Sequence, residues 1–266
     1  MKTYLTLSAI AIAAAATLSS GTALAQAPAP APDFTVAYNL GATSDYRFRG
    51  IKQNGDNASI QGGVDIGHKS GFYVGTWGSN VSDWTAPSAS VNLEIDYYGG
   101  YKTEVAGFAV DVGTIYYSYP GAVFQGKNMA STHEAYIGLT YGPATFKTSY
   151  VLSKNYFGAA TTDSAGEDAS GTMYYDLTLS QEVAPKLTAA LHAGYTDYKN
   201  GGNNLYSGGK VSYSDYSLGL TYDYEGYMLG VKYFMNDTKP GTESYATANG
   251  KKLYKDGFAV SVVKAF

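Results

Sequence analysis

Lys255 to Phe266 reads KDGFAVSVVKAF, and this stretch determines the fold predicted for the whole chain. Apolar residues alternate with small ones, so one face of a strand carries Phe258, Val260, Val262 and Phe266. An apolar edge strand invites aggregation in a soluble protein, whereas a strand that closes a barrel has its edge paired. The stretch alone predicts either the closing strand of a barrel or an ordinary strand of a β-sandwich.

The same alternation recurs along the chain and predicts twelve strands. Most of them reach the length of about 9–11 residues with which a tilted strand crosses a bilayer. The pattern does not assign the two faces of the third strand. The predicted strands are Phe34–Leu40, Ile60–His68, Phe72–Val81, Val91–Lys102, Phe108–Tyr119, Thr132–Tyr141, Ala144–Lys154, Thr172–Val183, Lys186–Asp197, Ser212–Tyr224, Tyr227–Asp237 and Tyr254–Phe266.

The connections between these strands alternate strictly between long and short. The short ones are no longer than the segments His68–Gly71 and Thr103–Gly107, and the long ones include Ala42–Ser59 and Asn155–Gly171. Outer-membrane barrels have short periplasmic turns and long external loops, and a sandwich has no reason to sort its loops in this way. The sequence therefore predicts a transmembrane, antiparallel, up-and-down β-barrel, with both termini on the periplasmic side.

The start of the chain has the pattern of a secretory signal peptide. Lys2, a short apolar run and the site Ala23–Ala25 predict cleavage after residue 25, followed by a Pro/Ala linker over 26–33 and the barrel over 34–266. The predicted localisation is the bacterial outer membrane. The chain has no cysteine and a net charge of −4 without basic runs, so a disulfide scaffold and a nucleic-acid partner are not expected.

Three stretches resemble the TorF family of outer-membrane porins. They are Ser44–Gln53 (SDYRFRGIKQ), Gln61–Val81 (QGGVDIGHKSGFYVGTWGSNV) and Glu94–Lys102 (EIDYYGGYK). The resemblance covers the chain after residue 25 and is densest in its first third. It implies a β-barrel porin and supplies no substrate. Lys264 departs from the usual apolar terminal pattern, but near a strand end it can extend toward lipid headgroups.

If the large apolar residues face lipid, the opposite strand faces line the lumen. The predicted pore-lining residues are Arg47, Arg49, Asp65, Glu94, Asp96, Asp111, Glu134, Lys147, Asp176, Asp223 and Lys232. Acids outnumber bases in this set, so we expect a weak preference for cations. The alternative is that these charges pair across the lumen and plug it. Arg47 and Arg49 are expected to share a face and to pair with acids such as Asp65, or else to bind an anion.

Catalysis is not predicted. The three histidines, His68, His133 and His192, belong to no recognisable catalytic group, and no cofactor or metal is expected. The predicted function is an outer-membrane porin for small hydrophilic solutes or ions. The alternative is a plugged barrel that acts as a surface adhesin or receptor through its long loops. The expected partners are outer-membrane lipid, lipopolysaccharide and the solutes themselves, and the oligomeric state stays open.

Overall fold

The computed structural model describes residues 32–82, 91–124, 127–128, 130–157, 168–199, 212–238, 247–248 and 251–266. The predicted signal peptide, 1–25, and all but the last two residues of the predicted linker lie outside these ranges. No helix in the described part of the chain has the length and apolar character needed to span a membrane.

Twelve long strands form one closed antiparallel barrel, as the sequence predicted. They are β1 (Phe34–Thr43), β4 (Ser59–His68), β5 (Phe72–Asn80), β6 (Leu93–Val105), β7 (Phe108–Ser118), β10 (Thr132–Tyr141), β11 (Ala144–Val151), β12 (Met173–Ala184), β13 (Leu187–Asp197), β14 (Tyr213–Tyr224), β15 (Tyr227–Asn236) and β18 (Gly257–Ala265). The order around the ring is β1-β18-β15-β14-β13-β12-β11-β10-β7-β6-β5-β4. Each strand therefore pairs with its neighbours along the chain, and the first strand pairs with the last.

Six shorter strands make three two-stranded hairpins within the long connections. They are β2 (Arg47–Phe48) with β3 (Ile51–Lys52), β8 (Val123–Phe124) with β9 (Lys127–Asn128), and β16 (Thr247–Ala248) with β17 (Lys251–Lys252). The sequence did not predict these hairpins. The strand β6 also runs three residues beyond its predicted end, because the turn that follows needs only Ala106 and Gly107.

Tight turns join strands at the end of the barrel opposite the long connections. In the turn between β6 and β7, Ala106 and Gly107 have φ values of 52° and 81°, and Glu225 and Gly226 between β14 and β15 have 53° and 81°. Two central residues with positive φ match the right-handed twist of the flanking strands, which is why such two-residue turns favour glycine at the second position. The short connections are thus set by local geometry.

The outer face of the barrel is an apolar belt. Along β14, Tyr216, Leu218, Leu220 and Tyr222 are exposed, and the residues between them are buried or half-buried. The same alternation places Phe258, Val260 and Val262 of β18 outside and Ala259 and Val263 inside. A closed sheet with an apolar exterior leaves no strand edge open to its surroundings.

The seam between β1 and β18 closes the ring. Leu40 pairs with Lys264 and Thr43 with Ser261, and beyond this ladder the backbone of Phe266 exchanges hydrogen bonds of 2.9 and 3.2 Å with that of Tyr38. Lys264 extends along the outer surface, where its Nζ donates a hydrogen bond of 3.1 Å to the carbonyl of Glu225 and lies over the Tyr227 ring. The charge therefore sits at the short-turn end of its strand.

Candidate functional site

The lumen of the barrel collects most of the polar side chains of the strands. The alternation of the described strands puts these predicted residues on the inner face: Asp65, Glu94, Asp96, Asp111, Glu134, Lys147, Asp176, Asp223 and Lys232. Asp223 lies at the short-turn end, where it accepts a hydrogen bond of 2.7 Å from the backbone of Gly226. Arg47 and Arg49 come from the first long connection rather than from a strand of the barrel.

The first long connection folds into the lumen and anchors there through Arg49. After β1 ends at Thr43, β2 and β3 make a hairpin whose tip, Arg49 and Gly50, has φ values of 49° and 75°. The Arg49 guanidinium donates hydrogen bonds of 2.8 and 2.7 Å to the two carboxylate oxygens of Glu134 on β10. The ring order puts β10 almost opposite β1. The hairpin therefore reaches across the barrel.

Both partners of this ion pair are enclosed. The Arg49 side chain is 6% exposed and that of Glu134 is 0% exposed. Burial would lower the pKa of Arg49, but the Glu134 carboxylate outweighs this effect and holds that pKa well above its ordinary value. Two parallel charge-assisted hydrogen bonds both stabilise the ion pair and fix the orientation of the Arg49 guanidinium, so the tip of the hairpin has a defined position.

Aromatic rings pack around the hairpin tip and fill the lumen at the long-connection end. Phe48 contacts Tyr117 of β7 with ring centroids 5.3 Å apart and Phe157 with centroids 5.1 Å apart. Tyr156 belongs to the same cluster: its hydroxyl accepts a hydrogen bond of 2.8 Å from Arg49 and its ring packs against that of Phe157. We call residues 44–54, together with Tyr156 and Phe157, the plug.

The plug is also held at its edges. Tyr213 of β14 donates a hydrogen bond of 3.0 Å to the Arg49 carbonyl. Arg47 binds Asp45 at 2.8 Å and the Lys255 carbonyl at 2.6 Å, and its guanidinium lies over the Phe234 ring.

Arg49 pairs with a lumen acid, as predicted, but its partner is Glu134 and not Asp65. Arg47 and Arg49 do not share a face, because the turn between them sends Arg49 across the lumen to Glu134 and leaves Arg47 near the wall. Asp65 instead accepts a hydrogen bond of 2.7 Å from Tyr98.

The part of the lumen nearer the short turns is lined by tyrosines that lie against glycines. Tyr98 and Gly75 are directly opposite on β6 and β5, and the ring occupies the space where a side chain at Gly75 would stand. Because glycine has no side chain, such a ring can lie along the barrel wall instead of crossing the lumen. The same relation joins Tyr73 with Gly100 and Tyr136 with Gly113. Nearer the plug, the Tyr174 ring lies against Gly194, its diagonal neighbour on β13.

The hydroxyls of these tyrosines bind the lumen acids. Tyr73 donates a hydrogen bond of 2.6 Å to Asp111 and also contacts the hydroxyl of Tyr136. The amines contact ring faces: Lys147 Nζ lies 3.7 Å from the Tyr136 ring centroid. The lysines Lys102, Lys147 and Lys232 form no ion pair with any residue in the described ranges. In this part of the lumen, the acids bind tyrosine hydroxyls and the lysine amines contact aromatic rings, so the two kinds of charge do not form ion pairs with each other.

A second polar cluster surrounds His192 on β13. Its Nε2 lies 3.0 Å from Asp215 Oδ1 and its Nδ1 lies 3.4 Å from Asp176 Oδ2. Tyr174 completes the cluster, with its hydroxyl 3.1 Å from Asp215 and its ring under the Arg49 guanidinium at 4.2 Å. The cluster therefore connects the strand wall to the plug.

Three residues of the inner face were not predicted from the sequence: Lys102 on β6, Asp215 on β14 and Tyr73 on β5. The signal for two of them was present. Lys102 is an even number of residues from Glu94 and Asp96 on β6, and Asp215 is an even number from Asp223 on β14, so each shares the face of those acids. The third was hidden because Gly75 and Gly78 interrupt the alternation of β5.

The burial of the inner face changes along the barrel axis. Glu94 and Asp96 are 0% and 4% exposed beside the plug, whereas Lys102 and Lys232 toward the short turns are exposed. Glu94 accepts a hydrogen bond of 2.7 Å from Tyr119. The lumen is therefore packed at the long-connection end and open to solvent at the short-turn end. Within the described ranges, no three acidic or histidine side chains are arranged to hold a metal ion.

Comparison with known proteins agrees with this architecture. A family model described as "Bacterial protein of unknown function (Gcw_chp)" matches residues 26–266. No curated protein matches the sequence. Among solved structures, a KdgM porin superposes with a TM-score of 0.52 at 8% identity, over 86% of this chain and 99% of that chain. A NanC porin superposes with a TM-score of 0.51 at 10% identity, over 87% and 98%. At such identities the likeness shows a common barrel fold.

Proposed function

Because the chain belongs to the Gcw_chp family of bacterial proteins of unknown function, we propose its function from the barrel itself: a porin of the bacterial outer membrane. It lets small hydrophilic solutes or ions diffuse passively and has no catalytic role. The barrel fold shared with the KdgM and NanC porins and the resemblance of three stretches to the TorF family support this proposal. The chain reaches the membrane after export by its signal peptide.

The contrast between the two faces of one closed sheet carries the proposal. Leu218 and Leu220 point outward and are exposed, while Ser217 and Asp215 on the same strand point inward. In hydrocarbon every backbone polar group has to be paired internally, and a closed barrel meets that demand. A barrel that served only as an anchor would not need exposed charges such as Lys232 and Lys102 inside it.

The solute preference follows from the charges of the lumen. Glu94 and Asp96 lie beside the plug, and the nearby Arg49 is already committed to Glu134. Asp65 and Asp111 add negative charge further down, where Lys147 and Lys232 oppose them. Acids outnumber bases, and charged side chains in a water-filled barrel bias which ions pass. The proposed pore therefore has a weak preference for cations.

The plug makes the long-connection end the narrow part of the path. Solute passes beside the hairpin tip or when the hairpin moves away from Glu134. The plug is joined to the barrel by side chains and by a few backbone hydrogen bonds, such as that from Ser44 to Val260 of β18. It is not part of the ladders of the twelve barrel strands, so it can move without opening the barrel. The path widens toward the short turns, where the tyrosines lie flat.

One observation favours a second candidate, a surface adhesin or receptor. The packing of Phe48, Tyr117 and Phe157 fills the lumen between opposite walls of the barrel. A barrel closed in this way would use its long connections to bind partners outside the cell. Outer-membrane lipid and lipopolysaccharide surround the barrel in either case.

Single-channel recording distinguishes the two candidates. The purified chain is inserted into a planar bilayer under a potassium chloride gradient, with an equal amount of detergent as the blank. A porin gives stepwise currents with a reversal potential displaced toward that of potassium. A permanently closed barrel inserts without current, and that result would exclude the porin.

A further inference from the structure

A groove of about 570 Å³ crosses the outer face of the barrel near the short turns. It lies on the outside of the wall, since its side chains belong to the outward set of β1, β4, β5 and β6. Its floor and walls are formed by Ile66, Val74 and Gly99 in one row and by Phe34, Phe72 and Tyr101 in the next. The volume is in the range of about 300–1,000 Å³ that small-molecule sites occupy.

The groove lies at Gly99, an outward position that has no side chain. From Leu93 to Tyr101 the other outward residues of β6 are large and apolar. The Val74 side chain on β5 lies close beside Gly99, since a Cβ there would stand 3.3 Å from Val74 Cγ1. In the next row toward the short turns, Phe72 and Tyr101 pack with ring centroids 4.9 Å apart, and Phe34 packs on His68 at 4.8 Å. Two aromatic pairs thus border the groove on the short-turn side.

The surroundings point to a lipid rather than to a folded partner. The groove is continuous with the apolar belt, and its exposed walls are almost wholly apolar, with Phe34 at 62% and Phe72 at 63% exposure. Aromatic rings of this kind mark the level of the headgroups in barrels of this class. Just beyond them Lys69 is 65% exposed, in a 2.6 Å ion pair with the similarly exposed Asp33. An apolar groove that is continuous with this belt suits a hydrocarbon chain.

We propose that this groove binds one acyl chain of a phospholipid from the leaflet on the short-turn side. The inference rests on the proposed membrane location and goes beyond the proposed transport. The chain lies across the row formed by Ile66, Val74 and Gly99, and the aromatic pairs of the next row border it on the short-turn side. The lipid phosphate then lies at the level of Lys69, whose ammonium is the nearest exposed positive charge on the turn between β4 and β5. The bound lipid is more firmly held than the rest of the surrounding shell.

Native mass spectrometry tests the proposal. The chain is stripped of lipid in detergent, incubated with vesicles of dioleoyl phosphatidylethanolamine and activated stepwise by collisions. Wild type is expected to retain one lipid under conditions that remove all others. Val74→Trp fills the groove with an apolar side chain, so the retained fraction should fall about tenfold, as loss of about 1.4 kcal/mol of binding free energy predicts.

The matched control is Leu229→Trp. Leu229 is the third residue of β15, as Val74 is of β5, and it also faces outward. It lies outside the groove, and its partners on the two neighbouring strands are Tyr222 and Val262 rather than a glycine. This variant should retain lipid as wild type does. Strand content by circular dichroism shows whether both variants fold. If Val74→Trp does not fold, it is replaced by Val112→Trp, since Val112 of β7 also lines the groove.

Three results would overturn the inference. They are equal retention by Val74→Trp and wild type, equal loss by Leu229→Trp, and a stable mass of two chains in place of chain plus lipid. A lipid that carries a photoreactive tail adds a second readout, since it should label peptides from 60–80 and 93–112 in preference to those of β14 and β15. A chain that conducts ions but keeps no lipid would refute the groove and leave the porin intact. A chain that keeps lipid but never conducts would refute the porin and leave the lipid groove intact.

Discussion

Arg49 and Glu134 stand 85 residues apart in the chain and form a two-pronged ion pair across the barrel, with N–O distances of 2.8 and 2.7 Å. One partner belongs to a connection and the other to the wall. The pair therefore sets the position of a segment that strand pairing does not hold. Its removal should change the lumen without changing the barrel.

We expect Glu134→Gln to raise the single-channel conductance. The substitution keeps the size of the side chain and leaves the Arg49 charge buried without its partner, which costs about 3–5 kcal/mol for a buried pair. The hairpin tip escapes that cost by leaving the lumen. Planar-bilayer recording measures the conductance, and Asp223→Asn at the short-turn end is the control. An unchanged conductance in a folded Glu134→Gln chain would mean that the pair does not hold the plug.

Gly75→Ala should lower the conductance. A Cβ at this position would collide with the Tyr98 ring, so the ring has to turn away from the wall and into the lumen, and its hydrogen bond to Asp65 breaks. Gly138→Ala is the matched control, because the nearest atom to its Cβ would be 3.8 Å away, an ordinary contact. Equal conductance in the two variants would show that the ring position does not limit the path.

Charge substitutions in the lumen should move the reversal potential in opposite directions. Asp111→Asn removes a negative charge and shifts selectivity toward anions, whereas Lys147→Gln shifts it toward cations. Both shifts should be larger at 0.1 M salt, where the Debye length is about 10 Å, than at 1 M, where it is about 3 Å. The measurement is the reversal potential under a fixed salt ratio. Shifts of the same sign would contradict a shared path past both residues.

Leu218→Arg should destabilise the barrel in a bilayer by about 2–4 kcal/mol, the cost of an arginine facing lipid near the midplane. Thr221→Arg on the same strand points into the lumen and should cost much less. Unfolding by guanidinium from phospholipid vesicles measures both. If the two substitutions cost the same, the outer face of β14 does not lie in hydrocarbon.

Alternation and connection length were enough to predict the barrel. Residues such as Leu218 and Val260 occupy outward positions because side chains alternate between the two faces of a strand, and the polar face of each strand lines the lumen. The tyrosine–glycine pairs were less accessible, since the pairing of Tyr98 with Gly75 depends on the register between two strands. The composition, with 27 Tyr and 32 Gly in the chain, is consistent with many such pairs but does not indicate which tyrosine lies against which glycine.

The plug could not be predicted from the sequence. Residues 44–54 lie in a connection without periodicity, and nothing in their order says whether they project outward or fold inward. The direction depends on the left-handed conformation of Arg49 and Gly50 and on the hydrogen bonds between the Arg49 guanidinium and Glu134. This contact joins residues far apart in the chain, so the sequence around either one carries no signal for it.

The seam between β1 and β18 has a consequence for biosynthesis. Until the first and last strands meet, the growing sheet has two open edges, each presenting unsatisfied amides and carbonyls to any neighbour. An unclosed sheet is therefore exposed to pairing with a neighbouring chain. That exposure ends only when β1 and β18, the two strands furthest apart in the sequence of the barrel, have paired.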